Sequence, residues 1–576
     1  MANKLELTWV GKDEEIKLEP RILIENPTLS NIEKDKDTEN MLIHGDNLLA
    51  LKALESKYAG RIKCIYIDPP YNTGNAFEHY DDGLEHSIWL GLMRSRLQIL
   101  KTLLSDNGLI YIQIDDEEQA YLKVLCDEIF GRGNYLNTIA VKAKAVSGAS
   151  GGGEDKRLKK NYEFILIYVK DYNKVVYEPE KELILLSDFI KEHKENKVGF
   201  YYTRVITNYG EKRYIGSTKD GSGEEIKIYE HIGYEFSSVS KLSRDLSIPE
   251  DEVYAKYFND IFMVTNAQTS ILTRVNDFVG EKNKLISYEY IPITGKDKGK
   301  VTSKLVWNET LVVWLRDSAI LQNGLVYKTQ KIGTLWQNIS WGRLDLEGGV
   351  SFKSGKKPEQ LIKRIINMST QPDDIVLDSF AGSGTTAATA HKLGRKYITI
   401  EMGEQAYTHC KVRLDKVISG EDQGGISKSQ NWQGGGGYKF YELAPSLIVE
   451  DKFGNPVINK EYNADMLAAA MALHEGFEYA PDQNFYWKQG KNENAYIYTT
   501  TTHLTESYLD AIAKEMKDGE YLVIACKSYD SGIERAYNNI KVKKIPQYLL
   551  GRCEFGKDNY NLNIVDVPTC EEDDDE

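Results

Sequence analysis

Cys64-Ile65-Tyr66-Ile67-Asp68-Pro69-Pro70-Tyr71 is a short apolar run that ends abruptly in an acid, two prolines and an aromatic ring. Its length and β-branched content are those of a buried strand. The prolines stop the strand, fix the backbone and remove two N–H donors, which leaves carbonyl groups free to point into a cleft. An acidic side chain and a carbonyl at a strand end can both accept hydrogen bonds from an aromatic amino group. Such bonds draw the nitrogen lone pair out of conjugation and make it a nucleophile. Tyr71 adds a π-face of the kind an extruded base stacks on. The bland reading is a polar turn ending a strand. It suits Pro-Pro alone but not Asp68-Pro69-Pro70-Tyr71-Asn72 placed directly after a buried run.

Working outward, residues 40–170 alternate strand-like runs with helical spacing, which predicts an α/β domain with a mainly parallel sheet. Trp89, Leu92, Met93, Arg96, Leu97, Leu100, Leu103 and Leu104 recur at helical intervals, and Gly108 is expected to stop that helix before a strand from Leu109 to Ile114. The stretch Ser147 to Gly153 reads as a flexible loop, and Asn161 to Val169 as another strand. From 175 to 345 charged segments alternate with short Tyr-rich β pieces and the rhythm is lost, as in an inserted domain. The pattern resumes at Lys356 with a helix through Ile366, a strand Ile375 to Leu377, a glycine-rich turn, a helix and a strand Tyr397 to Ile400. Gly424 to Gly437 reads as a linker. A small α/β module follows, with a helix Met466 to Leu473 and strands Tyr496 to Thr501 and Tyr521 to Ala525. The expected division is therefore 1–40, 41–172, 173–345, 346–422 and 438–576.

The second informative string is Asp378-Ser379-Phe380-Ala381-Gly382-Ser383-Gly384-Thr385-Thr386, between a strand and a helix. Glycines there let a ligand approach the backbone, and the helix N-terminus favours an anionic group. The spacing is neither G-x-G-x-x-G nor a P-loop, so a pyrophosphate ligand is disfavoured. Glu401 ends the next strand about 20 residues on, where an acid accepts ribose hydroxyls. Together they suit an adenosine-bearing ligand without phosphates. Taken singly, they also suit a tight turn and an exposed acid.

Weaker pieces lie nearby. Asp46 and Asn47, in His44-Gly45-Asp46-Asn47, precede a helix and read equally well as N-caps. Lys356-Lys357-Pro358 opens a helix, with the lysines solvated by default and the proline a helix starter. Asp115-Asp116-Glu117-Glu118 reads as a solvated first helical turn. The histidines are isolated and no metal site is expected.

The 576 residues carry a net charge of -15 and a pI near 5.3, which by itself argues against nucleic acid. Part of that excess sits in the run Glu571 to Glu576, and basic residues cluster at Lys142, Lys144, Lys156, Arg157, Lys159 and Lys160. The local patch decides contact with phosphate. No apolar run long enough to span a membrane and no secretory signal are visible. Six cysteines without a CxxC pair argue for reduced thiols in a cytosol.

Asp68 to Tyr71 and Asp378 to Thr386 together resemble the amino-methyltransferase family that acts on DNA. Tetrapeptide first, insert next and glycine turn last is the permuted order of its β-class. The extended Asp-Pro-Pro-Tyr-Asn-Thr-Gly at Asp68 to Gly74 is similar to that of modification (Mod) subunits of type III restriction-modification systems. The resemblance implies a Rossmann-like, circularly permuted methyltransferase fold with an inserted target-recognition domain at 173–345. It implies S-adenosylmethionine as cofactor, held by Asp46, Asp378, Phe380, Gly382, Gly384, Thr385, Thr386, Glu401 and Lys357. It implies catalysis by Asp68, Pro69, Pro70 and Tyr71 without a covalent nucleophile, with Phe77 and Tyr80 as possible wedges into the vacated base stack. The leading Asp resembles the adenine-N6 branch; cytosine N4 is the alternative. Double-stranded DNA, a second copy of the chain and a restriction (Res) subunit are the partners implied, in the cytoplasm. The rivals are methylation of RNA or protein, a subunit whose main task is recognition and assembly, and a dinucleotide-binding oxidoreductase, which the glycine spacing disfavours.

Overall fold

Strand-forming runs of Ile, Val, Leu and Tyr, buried on both faces, build the large sheet of the protein. The computed structural model describes residues 6–9, 11–13, 17–71, 86–143, 160–177, 179–267, 269–293, 298–352, 355–550, 552, 553 and 555. The loop Asn75 to Gly83 with Phe77 and Tyr80, the Ser147 to Gly153 loop, most of the basic cluster and the acidic run Glu571 to Glu576 lie outside them. Two compact units are present, residues 1–178 with 333–576, and residues 179–332.

In the first unit ten strands share one sheet. They are β1 (Leu23–Glu25), β2 (Met41–His44), β3 (Ile62–Ile67), β4 (Leu104–Ile114), β5 (Tyr135–Lys142), β6 (Tyr162–Val169), β7 (Leu335–Trp336), β8 (Ile375–Asp378), β9 (Lys396–Glu401) and β10 (Lys439–Leu443). Their order is β1-β10-β2-β9-β8-β3-β4-β6-β5-β7. The run from β10 through β4 is parallel throughout. β6 lies antiparallel to both β4 and β5. The helices that position the site are α1 (Asn47–Tyr58), α2 (His86–Leu103), α3 (Gln119–Cys126), α4 (Glu359–Ser369), α5 (Thr385–Lys392) and α6 (Val412–Ser419). Ile43, Ile65, Ile67, Leu97, Leu100, Leu377 and Ile400 meet in one core between sheet and helices. This is the expected α/β architecture.

Several local expectations are corrected. α2 ends at Leu103, five residues before Gly108, and Leu104 already belongs to β4. Leu100, Leu103 and Leu104 are buried in either geometry, so spacing alone could not place the junction. The acidic string after β4 is solvated only at Asp116 and Glu117; its two outer carboxylates are buried. Asp115 is 3% exposed and accepts from Lys160 Nζ at 2.7 Å, while Glu118 is fully buried and meets His86 Nδ1 at 2.6 Å. Nor does Gly424 to Gly437 behave as a linker. A Cβ at Gly425, where φ is +53°, would lie 2.2 Å from the Glu359 carboxylate, so glycine is there for close packing. Lys439–Leu443, assigned to the C-terminal module from sequence, is β10 of the large sheet. That module contributes its own five-stranded sheet, from Glu478–Tyr479 to Ile540–Lys544, beside the helices Ala464–Glu475 and Glu506–Glu515.

The second unit, Pro179–Ile332, is built on an eight-stranded antiparallel sheet and a smaller three-stranded one. Its Tyr-rich pieces pair as strands such as Glu225–Ile232 and Leu285–Tyr290. Among the described residues no helix is long and apolar enough to cross a membrane.

Candidate active site

β3 and β8 are adjacent and parallel, with Leu377 beside Ile65. The Asp68 tetrapeptide and the glycine turn therefore leave the same edge of the sheet, although more than 300 positions separate them in the chain. From β3 the chain runs through α2 to β4 on one side; from β8 it runs through α5 to β9 on the other. Divergence at neighbouring strand ends opens a crevice, the usual ligand position in such sheets.

On the β3 side, Pro70 is anchored: the indole of buried Trp89 on α2 donates to its carbonyl at 2.8 Å. Among the described residues no N–H or O–H reaches the Pro69 carbonyl, so it keeps its lone pairs. Asp68 accepts from Tyr71 Oη at 2.8 Å through one oxygen and from Lys357 Nζ at 2.8 Å through the other. The same ammonium stands 5.0 Å from the Tyr71 ring centroid, a cation–π contact. Burial pushes the Asp68 carboxyl above its ordinary range; Lys357 pulls it back and Glu163 adds to the rise. Lys357, grouped from sequence with the cofactor residues and by default solvated, is thus buried and sits on the tetrapeptide.

On the β8 side, Asp378 is 3% exposed and accepts from the Phe380 N–H at 2.9 Å and from Thr386 Oγ1 at 2.6 Å, which closes the loop into a compact turn. Gly382 and Gly384 have φ of +54° and +74°, which only glycine adopts without strain. Glu401 is not an exposed acid. One of its oxygens accepts from Gly382 N at 2.7 Å and the other from Gly403 N at 3.0 Å. Behind the turn, Arg413 donates to Thr385 Oγ1 at 2.7 Å and to the Ser383 carbonyl at 3.4 Å. The guanidinium also meets Glu359 at 2.8 Å. Glu359 in turn is bound by Lys392 at 2.8 and 2.9 Å, and Lys392 reaches Asp422 at 2.6 Å. Asp46 caps α1 through the Leu49 N–H at 3.0 Å. It is also held by Arg96, which donates to Asn47 Oδ1, while Asn47 Nδ2 donates to the Ser379 carbonyl at 2.7 Å. The capping role and the site position therefore coexist in one residue.

Burial pushes the Asp378 carboxyl up to about 7, with Asp68 and Glu401 adding to the rise against the bonds from Thr386 and Phe380. A folded value above the unfolded one contributes stability that is complete below the unfolded pKa and lost as pH rises through the folded one. The wild-type protein is therefore expected to lose stability relative to Asp378→Asn as pH climbs from about 4 to about 7, with a constant difference above. Thermal unfolding of both proteins across that window checks it; parallel curves would mean that Asp378 is ionised throughout.

Sequence reasoning missed Glu163, Gln113, Tyr66, Arg96 and Arg413. Glu163 was the detectable one, a lone charge in the otherwise apolar strand β6. Its Oε2 lies 2.9 Å from Tyr71 Oη and 2.5 Å from Gln113 Nε2.

Residues 62–411 match the DNA methylase family model. Over 411 residues the chain is 44% identical to the probable type III restriction-modification enzyme HindVI Mod subunit of Haemophilus influenzae, covering 71% of this chain and 54% of that protein. It is 28% identical over 440 residues to the type III restriction-modification enzyme EcoPI Mod subunit of Escherichia phage P1, covering 68% and 61%. With the EcoP15I Mod subunit of Escherichia coli it shares 24% over 526 residues, covering 82% and 77%. The chain thus spans little more than half the length of the first two relatives. The matched segment begins in β3, takes in both the tetrapeptide and the glycine turn and ends after Glu401, so the chain belongs to the DNA methylase family.

Proposed function

We propose that this protein transfers a methyl group from S-adenosylmethionine to the N6 amino group of adenine in duplex DNA, as the modification subunit of a type III restriction-modification system. The observation that carries the reading is the adjacency of Asp68-Pro69-Pro70-Tyr71 and the Gly382–Gly384 turn at neighbouring parallel strand ends. Donor and acceptor pockets on two sides of one crevice are what in-line group transfer requires.

The cofactor fits the residues present. A Cβ on Gly382 would find nothing nearer than 3.9 Å, so the backbone there is open to a ligand. Glu401 and Asp46 place carboxylates at the ends of β9 and β2, suited to ribose hydroxyls and an adenine amino group respectively. Phe380 offers a partly buried ring, and Asp378, Thr385 and Thr386 hold the turn that carries it. When bound, S-adenosylmethionine supplies an electrophilic methyl on sulfur. Asp68 and the Pro69 carbonyl accept the two N–H bonds of the target amine and aim its lone pair, while Tyr71 flanks the extruded ring. Unstacking the base costs a few kcal/mol, which contacts made by the flipped base must offset. Lys357 opposes the rise that burial imposes on the Asp68 carboxyl and so acts on the amine side.

The unit 179–332 is the part of the chain we assign to target recognition, and a second copy and a restriction subunit are the protein partners, acting in the cytosol. Supporting the type III assignment are the Mod subunits among the relatives, the three named above included. The test is to map modified bases in DNA from cells expressing this chain. Adenine methylated at N6 within one short motif is expected. Modified cytosine would reassign the base, and absence of any modified base would overturn the proposal.

A further inference from the structure

Tyr71 carries a single hydroxyl proton, yet its oxygen lies 2.8 Å from Asp68 Oδ1 and 2.9 Å from Glu163 Oε2. One O–H can donate to only one of two carboxylates. The other close oxygen pair is satisfied only when a further proton enters the cluster. Both carboxylates are otherwise fixed. Lys357 Nζ is 2.8 Å from Asp68 Oδ2 and 3.7 Å from Glu163 Oε2. Gln113 donates to Glu163, and its amide is oriented by Tyr66 Oη, which donates to Gln113 Oε1 at 2.6 Å. Side-chain exposures of 19% for Asp68, 15% for Glu163 and 7% for Lys357 limit how far water can screen the arrangement.

We propose that Glu163 is the terminal acceptor of the proton released when the target amine is methylated, with the Tyr71 hydroxyl as relay. The inference rests on the methyltransferase reading above. As the C–N bond forms, the methyl–sulfur bond breaks and its electron pair stays on sulfur. The nitrogen becomes cationic and releases one N–H proton to Asp68. Asp68 passes that proton to Tyr71 Oη as the phenol delivers its own to Glu163. The result is an ionised Asp68, a neutral Tyr71 and a protonated Glu163, with both close oxygen contacts now hydrogen-bonded. Asp68 regains its charge for product release, and neither Tyr66 nor Gln113 changes its protonation. Glu163 does not touch the substrate; it is a positioning and relay residue acting through Tyr71.

The experiment uses the full chain, duplex DNA bearing its mapped motif, tritiated S-adenosylmethionine and single-turnover sampling from pH 5 to 9, with Glu163→Gln and Glu163→Asp beside wild type. Glu163→Gln keeps the side-chain volume and is expected to lower the plateau rate by about 10²-fold, the scale of one proton-transfer assistance, with cofactor and DNA dissociation constants unchanged. Glu163→Asp should recover part of the loss. The titratable groups that surround the cluster are Asp68 and Asp378 at the ends of β3 and β8, Lys357 before α4, Tyr66 on β3 and Tyr71 itself; of these, Lys357 and the two tyrosines are raised above their ordinary values and stay protonated across the window, which leaves the carboxyl groups to set the acid limb. Because the Glu163 charge raises the Asp68 carboxyl, its removal should move the acid limb to lower pH. A packing role without charge would leave that limb in place, and a through-space charge role without proton transfer would move the limb but leave the plateau rate at the wild-type value. A Glu163→Gln protein with wild-type rate and wild-type profile overturns the relay while leaving the methyltransferase reading intact. A wild-type protein that transfers no methyl to DNA overturns both.

Discussion

Asp68→Ala is expected to lower single-turnover methyl transfer by about 10³-fold or more, the cost of losing a charge-placing contact made at the reacting atom. Two effects act together. The target amine loses the charged acceptor that localises its lone pair, and Lys357 loses the nearer of its two carboxylates in a site where its side chain is 7% exposed, keeping Glu163 at 3.7 Å. A buried ammonium that loses its closest partner shifts toward the remaining one or draws in water, and both change the crevice. Cofactor affinity should change little, because the glycine turn and Glu401 belong to β8 and β9 and do not touch Asp68. Asp68→Asn is the sharper variant. It retains an oxygen acceptor toward the amine without the charge, and should fall between wild type and Asp68→Ala. Rapid-quench measurement of transfer alongside cofactor titration separates the outcomes; an Asp68→Ala protein within tenfold of wild type would remove the tetrapeptide from the mechanism.

Lys392→Met should destabilise the protein by about 3–5 kcal/mol, the range for stripping one partner from a buried ionic network. Lys392, Glu359 and Arg413 have fully buried side chains, and Asp422 is nearly so. Without Lys392, Glu359 keeps, among the described residues, the Arg413 guanidinium and the Ile426 N–H, and Asp422 is left with the N–H groups of Gly348 and Gly424. The loss should also reach the cofactor side. Arg413 bridges the network to Thr385 and Ser383, so a shifted Glu359 loosens the glycine turn and weakens cofactor binding. Chemical denaturation gives the stability change and equilibrium titration the binding change. A loss below about 1 kcal/mol would place this network with exposed ion pairs, which contribute little.

The strands that carry the site were legible because burial on both faces makes them near-continuous apolar runs, and because Asp-Pro-Pro-Tyr and Gly-Ser-Gly end two of them abruptly. Periodicity could not tell that β3 and β8 lie side by side; that pairing belongs to tertiary register. The polar network was illegible for a related reason. Lys357, Lys392 and Arg413 look solvated in a linear reading, since long basic side chains usually are. Only the fold reveals that Asp68, Glu359 and Asp422 wait for them in the interior. Glu118 and Asp115 misled in the same way, as an acidic helix start whose partners, His86 and Lys160, come from other parts of the chain. The glycines at 424–437 illustrate the converse. Composition suggested slack chain, whereas each close approach needs the missing side chain.

β10 sits between β1 and β2, so the edge of the great sheet that begins with the first strands of the protein is completed by residues 439–443. A chain emerging from the ribosome has made β2 and β3 long before their neighbours β8, β9 and β10 exist. At ordinary elongation rates the interval from β3 to β10 is roughly 20–75 s. Throughout it the nascent polypeptide presents unsatisfied strand edges and only one wall of the crevice, a window in which chaperone occupancy matters and no ligand can yet be enclosed.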